Sequence, residues 1–317
     1  MRLFDLHCDT AGECWKQNKD LFENDLHLSL KRGGAYAPWR QVFAIFIPDT
    51  CRGEAAWDYF RQAYAYFSDQ LEKHSDVVSL CCTAGDMARA EREGKCAAIL
   101  AVEGGAVLGG ALTRIRELYD LGVRLMTLTW NGENELGCGC GKRFAGGLTQ
   151  FGREAVREME HVGMAVDVSH LSRRGFYHVA QIVKRPFLAS HSNCGAVYRH
   201  PRSLTDRQIS CVVSHGGLIG VNLYKSFLGK PGDAGFAAAY RHIAHLLERG
   251  AETAMALGSD FDGCEMDPAF AGIEKLQAFQ AYLLERGLSA EQADALFYKN
   301  AEKFFQNLLQ PQSDMLK

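Results

Sequence analysis

The sequence predicts an α/β protein of the (β/α)8 TIM-barrel type. Strand-like apolar runs alternate with helical ones along the whole chain, about eight strands each followed by a helix. The runs are apolar throughout, as strands covered on both faces must be. A length of 317 residues with 47% hydrophobic content suits a single barrel domain spanning 1–317. A doubly wound open sheet would want a glycine-rich phosphate loop after its first strand, and His7-Cys8-Asp9-Thr10 stands there instead.

The first strand is Leu3–Asp9. The second, Val42–Ile47, is bounded by Pro48. A helix over Glu54–Lys73 follows, and Trp57, Phe60, Tyr64 and Phe67 recur on it at helical spacing, a core stripe. The third strand, Cys96–Val102, ends in Glu103-Gly104-Gly105. After a helix at Leu112–Leu121, the fourth strand, Val123–Thr129, runs into Trp130-Asn131. The insertion Gly132–Gly147 is too long and too poor in apolar periodicity for a plain strand–helix turn, so it is expected to serve function. A helix at Phe151–His161 leads to the fifth strand, Met164–Val168, which ends in Ser169-His170; Ser172 can cap the next helix. Pro186–Ala189 is the sixth strand and ends in Ser190-His191. A helix from Thr205-Asp206 to Ser214 precedes the seventh strand, Leu218–Val221, which ends in Asn222. A helix at Phe236–Arg249 precedes the eighth, Ala254–Gly258, which ends in Ser259-Asp260-Phe261-Asp262. Helices at Ile273–Arg286 and Ala290–Leu309 complete the chain.

Composition excludes several classes of function. A net charge of −3 gives no basic field for nucleic acid. No apolar run approaches the roughly 20 residues of a membrane span. The first strand begins at once, which leaves no room for a signal peptide. Eleven cysteines, an odd count, argue for free thiols in a reducing cytoplasm. Cys138-Gly-Cys140 and Cys81-Cys82 lack the paired spacing of structural zinc sites.

Barrel active sites lie at the C-terminal ends of the strands. His7 and Asp9 are two apart in a strand and so share a face there. Glu103, His170, His191 and Asp260 follow later strands at the same rim. Imidazoles with carboxylates suit zinc and similar divalent ions. Two close cations need an anion between them, and Glu103 with its two oxygens can bridge them alongside a hydroxide. A net positive charge remains to polarise a carbonyl and acidify the bound water. Asp260 is the candidate general base; the alternative for it is a helix cap, a task Asp262 can take. Other histidines act as controls. His215 precedes a strand and reads as structural, His242 and His245 lie on an outer helix and read as solvated, and His27, His74, His161 and His178 show no partner pattern.

His7-Cys8-Asp9, Val102-Glu103-Gly104-Gly105, Asp167-Val168-Ser169-His170, Ser190-His191-Ser192-Asn193, Arg199-His200-Pro201-Arg202 and Gly258-Ser259-Asp260-Phe261-Asp262-Gly263 resemble, in order, the motifs of the membrane (renal) dipeptidases. The resemblance covers nearly the entire chain. It implies a (β/α)8 barrel with a dinuclear centre of two divalent ions, zinc by preference, that hydrolyses dipeptides and often tolerates a D-residue at the C-terminal side. It implies His7 and Asp9 on one ion, His170 and His191 on the other, and Glu103 as the bridge. Asp260 would then handle the proton and help hold the substrate amine, and Arg202 would pair with the dipeptide carboxylate. Tyr224 looks like a second carboxylate contact. One departure stands out: Leu128-Thr129-Trp130 occupies the place of the family's Leu-Thr-His, whose histidine contacts the substrate carbonyl oxygen. Indole is a donor only and cannot become a cation. Trp130, Asn131 or metal alone would then serve the oxyanion, or the substrate range has shifted.

Two other readings stand beside the dipeptidase. One is another amidohydrolase-type hydrolysis, of an N-acyl amino acid or a lactone; against it, many such relatives begin His-x-His and use a modified lysine, where this chain has His-x-Asp and a glutamate. The other is a noncatalytic, metal-dependent peptide-binding barrel, kept open by Trp130. A homodimer is compatible with all of them.

Overall fold

In the computed structural model, residues 1–142, 146–233 and 235–310 are described. Nine parallel strands form the sheet: β1 Leu3–Cys8, β2 Trp39–Phe46, β3 Val78–Leu80, β4 Cys96–Glu103, β5 Val123–Thr127, β6 Ala165–Asp167, β7 Leu188–Ala189, β8 Leu218–Val221 and β9 Met255–Leu257. The hydrogen-bonded order is β2-β1-β9-β8-β7-β6-β5-β4-β3, and β2 pairs β4 from Arg40↔Ala97 to Phe46↔Glu103. That last pairing closes eight strands into a barrel.

All eight expected strands are present. The additional one, β3, pairs only with Cys96–Ala98, below the point where β5 joins the same edge of β4 at Leu100. Three residues bounded by the polar Ser75-Asp76 and by Thr83 give too short a run for periodicity to reveal. Several strands are shorter than expected at the C-terminal end, because the chain there leaves the ladder to present side chains.

Residue parity divides the core. Phe4, Leu6, Val42, Ala44, Ile99, Ala101, Leu125, Leu188 and Leu218 form one buried cluster with Tyr298 and Phe305 of the C-terminal helical segment. This is the barrel interior, closed from below by the last helix. Leu3, Phe43, Ile45, Leu100 and Val102 belong to the second cluster, between strands and helices. The expected aromatic stripe of Glu54–Lys73 joins that layer through Phe60 and Phe67, with Trp57 and Tyr64 packed at its edge.

β1 carries an irregularity that matters for the site. Asp5 pairs with Gln41 but Cys8 pairs with Phe43, so three steps on β1 oppose two on β2. A bulge of this kind re-aims side chains. Leu6 stays in the barrel interior, Cys8 turns into the outer layer, and His7 and Asp9 are delivered together to the mouth.

Candidate metal centre

Six side chains from five strand ends converge at the mouth. His7, Glu103, His170 and His191 are at most 7% exposed, Asp9 6% and Asp260 9%. His170 Nε2 lies 2.9 Å from Glu103 Oε1, and His191 Nε2 lies 3.4 Å from the same oxygen. Glu103 Oε2 instead faces His7 Nε2 at 3.5 Å, with Asp9 Oδ2 at 3.4 Å and Asp260 Oδ1 at 3.8 Å from that nitrogen. The two oxygens of Glu103 are thus divided between two groups of ligand atoms. Among the described residues, three sets could hold an ion: His7, Asp9 and Glu103; Glu103, His170 and His191; and His7, His191 and Asp260.

The protonation pattern tests whether a cation fits. His170 Nδ1 is 3.0 Å from Asn131 Oδ1, an acceptor, so with that amide orientation Nδ1 carries the proton. His191 Nδ1 is 2.7 Å from Ser190 Oγ, whose own proton goes to Asp167 Oδ2 at 2.5 Å. Ser190 can therefore only accept from His191. Both imidazoles are left with a lone pair on Nε2, and these two nitrogens face one another at 2.9 Å beside a carboxylate oxygen. Three acceptors aimed at one place repel unless a cation lies among them, and partners on the far ring nitrogens are how proteins fix metal-binding tautomers. His7 Nε2 and Asp9 Oδ1 are also buried without a hydrogen-bond partner among the described residues. The residues fit a metal centre.

Charge follows the same geometry. Burial pushes the His170 imidazole down to about 3, with the Arg202 guanidinium adding to the effect. Burial lowers His191 as well, and nearby His7 reinforces it. At Glu103 burial raises the pKa, but His7 and His170 outweigh it and hold the carboxyl well below its ordinary range. Burial opposes the charged form of His7, yet Glu103 and Asp9 hold its pKa well above the usual value. Burial pushes Asp9 up to about 7 against the pull of His7.

A sequence profile of the membrane dipeptidase family, peptidase family M19, matches residues 1–315. The chain belongs to the membrane dipeptidase family. It is thereby a metallopeptidase of the dipeptidase class, a hydrolase of peptide bonds. It is similar to a metallopeptidase from Rhodobacter sphaeroides, solved with a phosphinate mimic of the dipeptide L-Ala-D-Ala, at 26% identity and a TM-score of 0.90 over 96% of this chain and 99% of that one. It is similar to the solved dipeptidase AC at 27% identity and a TM-score of 0.91, covering 98% of this chain and 99% of that one. Dipeptidase verJ of Clonostachys rogersoniana is 33% identical over 225 residues, 69% of this chain and 57% of the fungal protein's own length.

Around the metal centre of this dipeptidase-family chain lies a cleft of about 690 Å³, lined by Asp9, Glu103, Trp130, His170, Arg202, Tyr224 and Asp260 among others. Seven of the nine expected site residues therefore line it, while His7 and His191 lie buried behind them, 1% and 0% exposed. Trp130 packs edge-on against Phe46 and lies 6.2 Å from the His170 ring, a wall of the cleft. Arg202 donates to the His191 carbonyl at 2.9 Å, and its Nε is buried without a partner among the described residues. The Gly132–Gly147 insertion, of which 143–145 lie outside the described residues, is tied to the mouth: Cys140 N donates to His170 O at 2.7 Å and Ser172 N to Cys138 O at 3.0 Å. Cys138 and Cys140, like all 11 cysteines, are free.

Two expectations are corrected. His242 is not solvated but fully buried: it accepts from Cys194 N at 3.1 Å and bonds Leu228 O through Nε2 at 3.1 Å, and burial pushes it down to about 4. Asp262 caps no helix; it holds Thr10 Oγ1 and the backbone N–H of His27, both at 2.6 Å, and so clamps the loop beside β1.

The structure also brings in residues that the motifs did not assign. Asn222 donates to Asp260 Oδ2 at 2.9 Å and leaves Oδ1 facing the centre. Asp5, fully buried, accepts from Ser259 N at 2.7 Å, Ser259 Oγ at 2.6 Å and Gln41 Nε2 at 2.8 Å, and so fixes the turn that presents Asp260. Burial raises the Asp5 pKa, and the Ser259 bonds offset part of the rise. An apolar run interrupted by one acid was the available clue to Asp5.

Proposed function

We propose that this protein hydrolyses dipeptides, including those with a D-residue at the C-terminal side, with two divalent metal ions, zinc by preference. One observation supports the pair of ions above all: the oxygens of Glu103 are split between His7 on one side and His170 with His191 on the other. In this reading His7 and Asp9 would hold one ion and His170 and His191 the second, with Glu103 contributing to both. When bound, such ions supply Lewis acidity and lower the pKa of water held with them.

The chain's own groups do the rest. Burial raises the pKa of Asp260, but His191 and His7 outweigh it, so the group is a carboxylate ready to accept a proton. Asn222 pins one of its oxygens, and the other takes the proton from the attacking water and delivers it to the leaving amine. The Arg202 guanidinium, with its buried free Nε, pairs with the substrate carboxylate, and Tyr224 borders the same cleft. Trp130 and Phe46 wall the cleft against water. The Trp130 N–H can donate to a carbonyl oxygen but cannot place a charge there. Residues 1–317 are read as one hydrolase domain. The free thiols support a cytoplasmic location, and no described helix is long and apolar enough to cross a membrane.

Dialysis against a chelator should abolish hydrolysis of a simple dipeptide, and added zinc should restore it. Turnover that survives complete metal removal refutes the reading. N-acyl amino acids and lactones assayed beside dipeptides separate it from other hydrolyses of the same superfamily.

A further inference from the structure

Next to the metal cleft lies a second cavity of about 880 Å³. The two share Cys140, His170, His200, Pro201 and Arg202 as a common wall. The composition of the second cavity is one-sided: Lys142, Arg173, Arg174, Arg199 and Arg202 line it, and among the described residues no carboxylate does. None of these five cations forms an ion pair among the described residues. Elsewhere on this chain of net charge −3, buried arginines such as Arg40, with Glu91 and Glu302, and Arg114, with Glu54, are paired with acids. The field continues outward past Arg207, which stacks on Tyr177. The acid at that outer edge, Asp206, is already engaged by His245 at 2.8 Å and Arg249 at 3.8 Å.

A cleft lined by one sign of charge concentrates the opposite ion. One guanidinium, Arg202, suffices for the α-carboxylate that any dipeptide carries. Four further cations in the adjoining cavity exceed that need. Arg202 is 6% exposed with its Nε unsatisfied, so the wall between the cavities already contains a buried donor awaiting an anion.

We infer that the second cavity receives an acidic side chain of the substrate's C-terminal residue, so that the preferred substrates are dipeptides ending in aspartate or glutamate. This rests on the dipeptidase reading above. Arg202 takes the α-carboxylate, and Arg173, Arg174, Arg199 and Lys142 supply the field and the contacts for the second carboxylate. Arginine forks suit this task, because they bind carboxylates through two N–H groups at once.

The test compares Ala-Asp with its neutral isostere Ala-Asn on the zinc-loaded full chain, with the C-terminal residue in both L and D forms. The expected ratio of kcat/KM is at least about tenfold in favour of the acid, the effect of one charge-assisted contact. That ratio should shrink as NaCl rises from about 50 to about 500 mM, since screening weakens contacts in an open cleft. In the R173Q/R199Q double variant it should fall to within about twofold of unity, and a general folding defect, which lowers both rates together, would leave it unchanged. Comparable rates on Ala-Asp and Ala-Asn in the unmodified protein overturn the inference and leave the dipeptidase reading standing. An acid preference that persists undiminished in the double variant overturns the role of these arginines. Failure of the zinc-loaded protein to cleave any dipeptide refutes the underlying reading, and this inference with it.

Discussion

Replacing Asp167 by asparagine should weaken metal binding although Asp167 touches no ion. Its Oδ1 accepts from the backbone N–H groups of Ser169 and Ser190, both at 2.9 Å, and its Oδ2 from Thr127 Oγ1 at 2.6 Å and Ser190 Oγ at 2.5 Å. Burial raises the pKa of this group, but His191 and the bonds from Ser190 and Thr127 outweigh it and keep the carboxyl ionised. An asparagine must keep its oxygen toward the two fixed N–H groups, because hydroxyls can rotate and backbone cannot. Its NH2 then points at Ser190 Oγ and donates where the carboxylate accepted. The Ser190 proton has to move, and the nearest acceptor is His191 Nδ1 at 2.7 Å; the alternative, Ser169 Oγ, is 3.3 Å away. Once Ser190 donates to Nδ1, the imidazole proton shifts to Nε2, the nitrogen that faces Glu103. The lone pair needed for a metal is lost. Outer partners of this kind change metal affinity by roughly 10–100-fold, or about 1.4–2.7 kcal/mol. Stability should move less, by about 1–2 kcal/mol, since the two backbone donors keep their acceptor and the two hydroxyls can accept from the new amide. Zinc titration against a chromophoric chelator measures the affinity, and nitrogen chemical shifts of His191 in the metal-free protein report the tautomer. Unchanged affinity with His191 still protonated at Nδ1 would refute the relay.

Glu103→Gln removes a charge shared by both groups of ligands, so both sites should weaken together by at least about 100-fold, the upper end of what even an outer partner costs; metal analysis showing one ion fully retained and only the other lost rejects the bridge. Asp260→Asn should keep the ion held by Glu103, His170 and His191 while lowering kcat by roughly 10²–10⁴-fold, as loss of a general base does; a wild-type rate at that metal content removes Asp260 from the proton path. The metal-free protein holds a proton on His7 above the ordinary histidine range, so loading must displace it: zinc affinity should rise with pH and zinc uptake should release protons into weakly buffered solution. Proton-neutral uptake at pH 7 contradicts this. In Gly263→Ala the new Cβ would lie 2.1 Å from Asp9 Oδ2 and 2.9 Å from Asp260 Oδ1, so the variant should lose affinity selectively at the His7–Asp9 ion, and equal loss at both sites counts against the assignment.

The convergence of the candidate ligands was legible in the sequence because a barrel converts strand order into position: a histidine or acid just past an apolar run must lie at one rim. What surrounds them was less so. The relay from Asp167 through Ser190 to His191 crosses from β6 to the end of β7, and no spacing in the chain announces that two strand ends share a hydroxyl. The bulge in β1 was invisible for a related reason. Alternation alone places His7 on the face of Leu3 and Asp5, and only the pairing with β2 shows the extra residue that turns it inward. His242 is different, since a clue existed. It continues the stripe Ala238, Ala239, Ile243, Leu246, all buried, and helical spacing alone would have put it on the core side.

The placement of His170 and Asp260 shows why such a site needs its buried supports. Both residues have φ of 64°, in the left-handed region that costs a side chain other than glycine about 1–2 kcal/mol. Neither would adopt it alone. Asp260 is held there by its N–H on the His7 carbonyl at 3.1 Å and by Ser259, whose own donors end on fully buried Asp5. His170 is held by its carbonyl on Cys140 N and its Nδ1 on Asn131, both from the loop after β5. Each strained residue therefore depends on groups from outside its own segment. Because Asn131 immediately follows Trp130, the loop that puts an indole in the wall of the cleft also orients the His170 imidazole. Changes in that loop should alter substrate choice and metal affinity together, whereas changes at Asp5 should move the Asp260 turn and leave His170 in place.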